Sequence, residues 1–165
     1  VSIESDVTVN SFCSIENSII KQGASIGPFS RLRNGAEIGQ DSKIGNFVEV
    51  KNSSLKEGVK ASHLSYIGDA EIDENANIGA GTITCNYDGV DKHKTTIGKR
   101  AFIGSNSSLI APLNIGDDAN IAAGSSISKD VESGSLAITR APIKFISNWS
   151  KKLRKNNNEE EKCVE

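Results

Sequence analysis

Arg33, Glu49, Lys51, His63, Tyr66, Asn77, Asn86, Tyr87 and Lys92 form the densest set of chemically competent side chains in the sequence. Arg33 and Lys51 are 18 residues apart. If the backbone returns to the same place at about that interval, the two cations stack, and their repulsion is relieved when an anion lies against them. A phosphate would serve. His63 is one of 2 histidines, and a neutral imidazole can take a proton near pH 7. A carboxylate on a neighbouring coil, such as Glu49, could hold its tautomer and stabilise the imidazolium that forms. Asn77, Asn86 and Tyr87 could orient hydroxyls or an acyl oxygen, although Asn and Tyr beside glycine are also ordinary turn formers.

Such stacking requires an element that repeats, and the sequence has one. Aliphatic residues recur every six positions at Ile26, Leu32, Ile38, Ile44 and Val50, and again at Ile97, Ile103, Leu109, Ile115, Ile121 and Ile127. That period belongs to neither an amphipathic helix nor a half-buried strand. It predicts a β-solenoid in which every sixth side chain turns inward and successive coils stack like residues. Glycine follows the aliphatic residue in Ile38-Gly39, Ile44-Gly45, Ile78-Gly79 and Ile103-Gly104, where backbone freedom or close approach is needed. Small or apolar residues (Ala36, Ser42, Val48, Ala76, Ala101, Ser107) come four positions after the aliphatic one, as a narrow interior demands.

The series starts at Ile3, Val9 and Ile15, slips by one residue before Ile26, and slips again between Val50 and Ile72. Because it starts in mid-repeat, the expectation is a segment of a longer protein. Residues 1–140 read as one domain of about seven coils, roughly 30 Å long at a strand spacing of about 4.8 Å. A stretch without hexads, 85–96, is expected to protrude as a loop. Residues 141–155 read as a basic extension that is a short helix or an irregular tail packed by Phe145 and Trp149, and 156–165 as disordered.

Aromatics are 5% of the 165 residues, which suits a thin solenoid, and the net charge of -2 gives no argument for a nucleic-acid partner. Three cysteines without tight spacing point to a reducing, cytoplasmic compartment, and no apolar run reaches membrane-spanning length.

The runs RLRNGAEIG, GNFVEVK, KASHLSYIGDAEI, NIGAGTITCNYDG, KHKTTIG and LAITRAP closely resemble the acetyltransferase domain of the bacterial bifunctional UDP-N-acetylglucosamine pyrophosphorylase/glucosamine-1-phosphate N-acetyltransferase. The likeness covers nearly all of residues 1–150, and GAGTITCNYDG is its most specific part. It implies an all-β, left-handed parallel β-helix of hexapeptide repeats, assembled as a homotrimer with active sites between subunits. It also implies acetyl-CoA as co-substrate with no metal needed, a sugar phosphate as acceptor, no nucleic acid and no membrane insertion. The product would feed UDP-N-acetylglucosamine, a cell-envelope precursor. By this resemblance Arg33, Lys51, Tyr66, Asn77 and Lys92 bind the sugar phosphate, His63 is the general base and Glu49 orients it. Ala80, Asn86, Tyr87, Ser105, Ala123 and Arg140 would line the acetyl-CoA site, with Lys151, Lys152, Arg154 or Lys155 possible neighbours of its phosphates from charge alone. Cys85 would be a packed neighbour, not a nucleophile. The pyrophosphorylase half is not among these residues, so these residues alone are not expected to make UDP-N-acetylglucosamine.

Two other readings keep the solenoid. Another hexapeptide acyltransferase would lack the specific loop, and a non-catalytic assembly module gives no reason for Arg33 and Lys51 to stack. A zinc hydratase on the same fold would need three histidine ligands, and the sequence has 2 histidines.

Overall fold

The computed structural model describes residues 1–151 and is an all-β parallel solenoid. Three sheets of 7, 8 and 7 short strands form the three faces of a prism, and each strand pairs in parallel with strands one coil away. On the first face lie Glu37–Ile38, Ser54–Leu55, Ala70–Ile72 and Thr95–Ile97, among others. The second face includes Lys43–Asn46, Lys60–His63, Asn77–Ile78 and Phe102–Ile103. The third includes Arg31–Arg33, Glu49–Lys51, Tyr66–Gly68 and Ile83–Cys85.

The inward residues are those the period singled out. Ile26, Ile44, Ala61, Ile78, Ile103 and Ile121 form one buried ladder, each Cα in register with the next. The small residues at the corners, Ala36, Ser42, Ala76, Ala101 and Ser107, are all buried. Their hydroxyls are satisfied locally: Ser42 Oγ donates to Lys56 O at 2.9 Å and Ser107 Oγ to Gly104 O at 2.6 Å. Gly39, Gly45, Gly79 and Gly104 answer to close approach and not to backbone freedom, whereas Gly27 is left-handed at φ 89°. A Cβ on Gly79 would stand 2.5 Å from the Ile103 carbonyl oxygen of the next coil.

The phase slips are corners shortened to five residues. They fall at Ile15–Ile20, Val50–Leu55 and Ile67–Ile72, and each contains a single left-handed residue: Asn17, Asn52 or Asp69. Asn and Asp tolerate that conformation better than most side chains. The expected loop is present but shorter, from Asn86 to Lys94, between strands Ile83–Cys85 and Thr95–Ile97. Its hairpin is closed by a Tyr87–Lys92 bridge.

The extension departs from expectation. Residues 141–148 have no regular structure, 149–151 are helical, and Phe145 and Trp149 are exposed instead of packed. The last inward register among the described residues is Ala137 on Ile121, so no ladder remains there for them to join. The expected disorder of 156–165 lies outside the described residues. Among those described, no helix is long and apolar enough to cross a membrane.

Because a one-side-chain-wide core cannot collapse around a void, Ile103→Ala should cost about 2–5 kcal/mol of unfolding free energy. Ile3→Ala, at an exposed position, should cost much less. Chemical denaturation of the two variants measures the difference.

Candidate active site

On the third face Arg31 pairs with Glu49 and Arg33 with Lys51, then Glu49 with Tyr66 and Lys51 with Gly68. Since strand side chains alternate across the sheet, Arg33, Glu49, Lys51 and Tyr66 share one outer surface. The 18-residue spacing therefore does stack Arg33 on Lys51. Arg33 Nε donates to Glu49 Oε1 at 2.6 Å, and that carboxylate holds the guanidinium pKa above its ordinary value. Among the described residues Lys51 makes no ion pair, so the face keeps a free ammonium beside a paired guanidinium. Tyr66 folds along its own strand: a Cβ on Gly68 would lie 2.7 Å from Tyr66 Cζ and run into the hydroxyl. Gly68 therefore lets the phenol reach the row that also holds Lys51.

His63 stands at the corner between the second and third faces, exposed to solvent. Its Nδ1 lies 2.9 Å from Asn46 Oδ1, and a carbonyl oxygen there requires an N–H on Nδ1. Nε2 is then the basic nitrogen, turned to solvent. Within the protomer Glu49 is bonded to Arg33, and the side chain on the imidazole's Nδ1 is that of Asn46, in direct register with His63.

The same register runs up the corner. Asn46, His63, Ala80, Ser105 and Ala123 occupy equivalent positions on successive coils, two residues after the ladder members Ile44, Ala61, Ile78, Ile103 and Ile121. Arg140 caps the column, its Cδ 3.8 Å from where a Cβ on Gly124 would stand. Three of the six residues expected at the acetyl-CoA site thus form one straight file above the imidazole, with Arg140 beside its upper end, and the Ala80 N–H makes no hydrogen bond among the described residues. The tip of the corner changes character at the same level. Phe12, Phe29, Phe47 and Leu64 project below, and Gly81, Asn106 and Gly124 above. A thin strip is therefore left open above His63.

The other expected residues lie apart. Asn77 is on the second face, round the corner from Arg33 and Lys51. Asn86, Tyr87 and Lys92 are on the loop, where Asn86 is buried and Tyr87 is exposed. Lys92 borders a groove of about 570 Å³ with Asn52 and Asp69. Cys85 is half-buried at the end of its strand. Lys151 is exposed, and Lys152, Arg154 and Lys155 lie outside the described residues. Asn46, Asn52 and Asp69 were missed. Asn52 and Asp69 had a signal, because each marks a phase slip.

A file of small residues rising from one exposed imidazole, on a three-sided hexad solenoid, defines the hexapeptide-repeat class of transferases. The chain matches the models for bacterial transferase hexapeptide (six repeats) over residues 17–52 and for the hexapeptide repeat of succinyl-transferase over residues 94–129. It belongs to the family of the bifunctional protein GlmU, in a stretch consistent with the C-terminal acetyltransferase domain. It is 58% identical over 153 residues to the protein of that name from Thermodesulfovibrio yellowstonii, covering 93% of this chain and 34% of the relative. The counterpart from Acidithiobacillus ferrooxidans is 53% identical over 152 residues, covering 92% and 33%. The chain thus spans about one third of the length of these curated relatives. In fold it is similar to PerB of Caulobacter crescentus, solved with CoA and GDP-perosamine, at a TM-score of 0.64, 19% identity, and coverage of 77% and 58% of the two chains. The acetyltransferase domain of PglB from Neisseria gonorrhoeae gives a TM-score of 0.57 at 22% identity, covering 83% and 53%.

The loop has its own electrostatic anchor. His93 Nε2 lies 2.7 Å from Asp88 Oδ2, and the Val90 and Asp91 N–H groups donate to Asp88 Oδ1. The bond from His93, then those from the two amides, bring the Asp88 pKa down to about 2 from 3.8. A depressed carboxylate stabilises the folded loop above its unfolded value and ceases to as pH falls through its folded value. The hairpin should therefore persist at pH 4 and loosen near pH 2. In an NMR titration of the Asp88 carboxyl carbon, His93→Ala should move the midpoint up towards 3.8.

Proposed function

We propose that this chain transfers the acetyl group of acetyl-CoA to the 2-amino group of glucosamine-1-phosphate, giving N-acetylglucosamine-1-phosphate and CoA. The observation that carries the reading is the His63 Nε2 left basic by Asn46, at the foot of the open corner strip and beside the face that holds Arg33 and Lys51. Arg33, Lys51 and Lys92 would bind the phosphate, with Tyr66 and Asn77 on the sugar. Acetyl-CoA would lie along Ala80, Ser105, Ala123 and Arg140, with Asn86 and Tyr87 near its acetyl end. The amine attacks the thioester carbonyl as Nε2 takes its proton, and the Ala80 N–H would donate to the oxyanion. Collapse of the tetrahedral intermediate expels the CoA thiolate, which the imidazolium protonates. Base assistance of this kind contributes roughly 10² to 10⁴ in rate.

We further propose a homotrimer whose sites lie between subunits. Asn77 and the Arg33–Lys51 pair lie on two faces of one prism and cannot converge on a small sugar within a protomer. A neighbouring copy would bring a second set of faces to the corner. Phe12, Phe29, Phe47 and Leu64 support this: they are 77%, 47%, 55% and 61% exposed, and the three rings stack at 4.9 and 5.3 Å. All four are left-handed, a conformation unfavourable for bulky side chains. An exposed apolar column gives an isolated protomer little burial and marks an interaction surface.

CoA release with glucosamine-1-phosphate as acceptor should fall by roughly 10² to 10⁴ in His63→Ala with the fold intact. A wild type silent with this acceptor but active on free glucosamine or another amine would replace the substrate. Light scattering should show Phe47→Asp as a smaller species than the wild type, and an unchanged mass would remove the corner from the assembly.

A further inference from the structure

Asp69 touches both ends of the protruding loop and the coil beneath it. Its backbone oxygen accepts from Thr95 N at 3.2 Å, where the chain leaves the loop. Its Oδ2 accepts from the side-chain amide of Asn86, where the chain enters it. Its Oδ1 accepts from Asn52 Nδ2 at 2.5 Å, and its N–H donates to Lys51 O at 3.1 Å, both on the coil below. An ionised carboxylate only accepts, so Asn52 and Asn86 must both turn their NH₂ groups toward it. The Asn86 carbonyl oxygen is thereby kept for other partners.

We propose that Asp69 is a positioning residue for the acceptor phosphate, fixing the loop so that Lys92 faces the same anion as Lys51. This rests on the sugar-phosphate reading above. The five-residue corners at Asn52 and Asp69 make it geometrically possible, since they stack the two side chains in consecutive coils directly under the loop. The protonation state agrees. Burial alone would raise the Asp69 pKa, yet the bonds from Asn52 and Asn86 and the nearby Lys51 and Lys92 outweigh it and lower the net value. Asp69 stays charged and accepting across the neutral range.

A competing role has the opposite sign. Were Asp69 simply an anion near two cations, it would weaken phosphate binding, and neutralising it would tighten binding. If it is the clamp, neutralising it leaves one acceptor for two amide donors, frees the loop and weakens binding. Asp69→Asn separates the two, because Asn keeps the side-chain shape and suits the left-handed backbone at φ 50°.

The test has two arms. Hydrogen exchange of the ligand-free protein should speed up at residues 86–93 in Asp69→Asn while the coils from 97 to 127 keep their protection. KM for glucosamine-1-phosphate should rise roughly 10- to 100-fold, the scale of a lost charged hydrogen bond, with a smaller change in kcat. Asn52→Gly, which removes one donor and keeps the left-handed corner, should shift both readouts the same way by less. Unchanged protection of 86–93, or a fall in KM, overturns the proposal. If the wild type proves inactive on this acceptor, the substrate reading fails, and the exchange arm still decides whether Asp69 holds the loop.

Discussion

The dominant constraint in this molecule is the thinness of its interior. Each face contributes only one or two inward side chains per coil, so neighbouring backbones must approach to strand spacing along the whole length. The Ile44–Ala61–Ile78–Ile103–Ile121 ladder keeps that contact in register. A one-residue slip would turn every inward residue outward. Register that tight turns the outer surface into straight rows, so residues far apart in sequence become vertical neighbours without any dedicated contact to bring them together.

The chemistry follows from which rows meet at a corner. One row places a basic imidazole nitrogen in water, another stacks a guanidinium and an ammonium, and a third leaves a channel of small residues. Glu49 tempers the cationic row by pairing with Arg33, which leaves Lys51 as the less committed charge. Polar side chains in this region make most of their bonds across coils and few within one. The site is therefore only as well ordered as the stacking beneath it.

Much of this was legible in the sequence. Hexads gave the solenoid, the 18-residue separation gave the Arg33–Lys51 stack, and the missing hexads located the loop to within two residues at each end. The contact between Asn46 and His63 was not legible. Coil arithmetic says which coil a residue occupies, but a shift of three residues moves it from the end of one face to the start of the next. His63 ends a strand of the second face beside Asn46, whereas Glu49 begins one of the third. Asp69 escaped notice because its importance lies in hydrogen bonds made on all sides, while its sequence neighbourhood shows only a slipped phase. Phe145 and Trp149 misled because aromatic residues usually pack, and here no further coil was left to receive them.

The loop illustrates a freedom that globular folds seldom have. The coil that carries it separates Ile83 from Ser108 in register, yet the strands on either side pair as if nothing had been inserted. Chain added at such a vertex owes mainly its own closure entropy, which grows slowly with length. A vertex of this kind can change its appendage while the ladders above and below it keep their pairing.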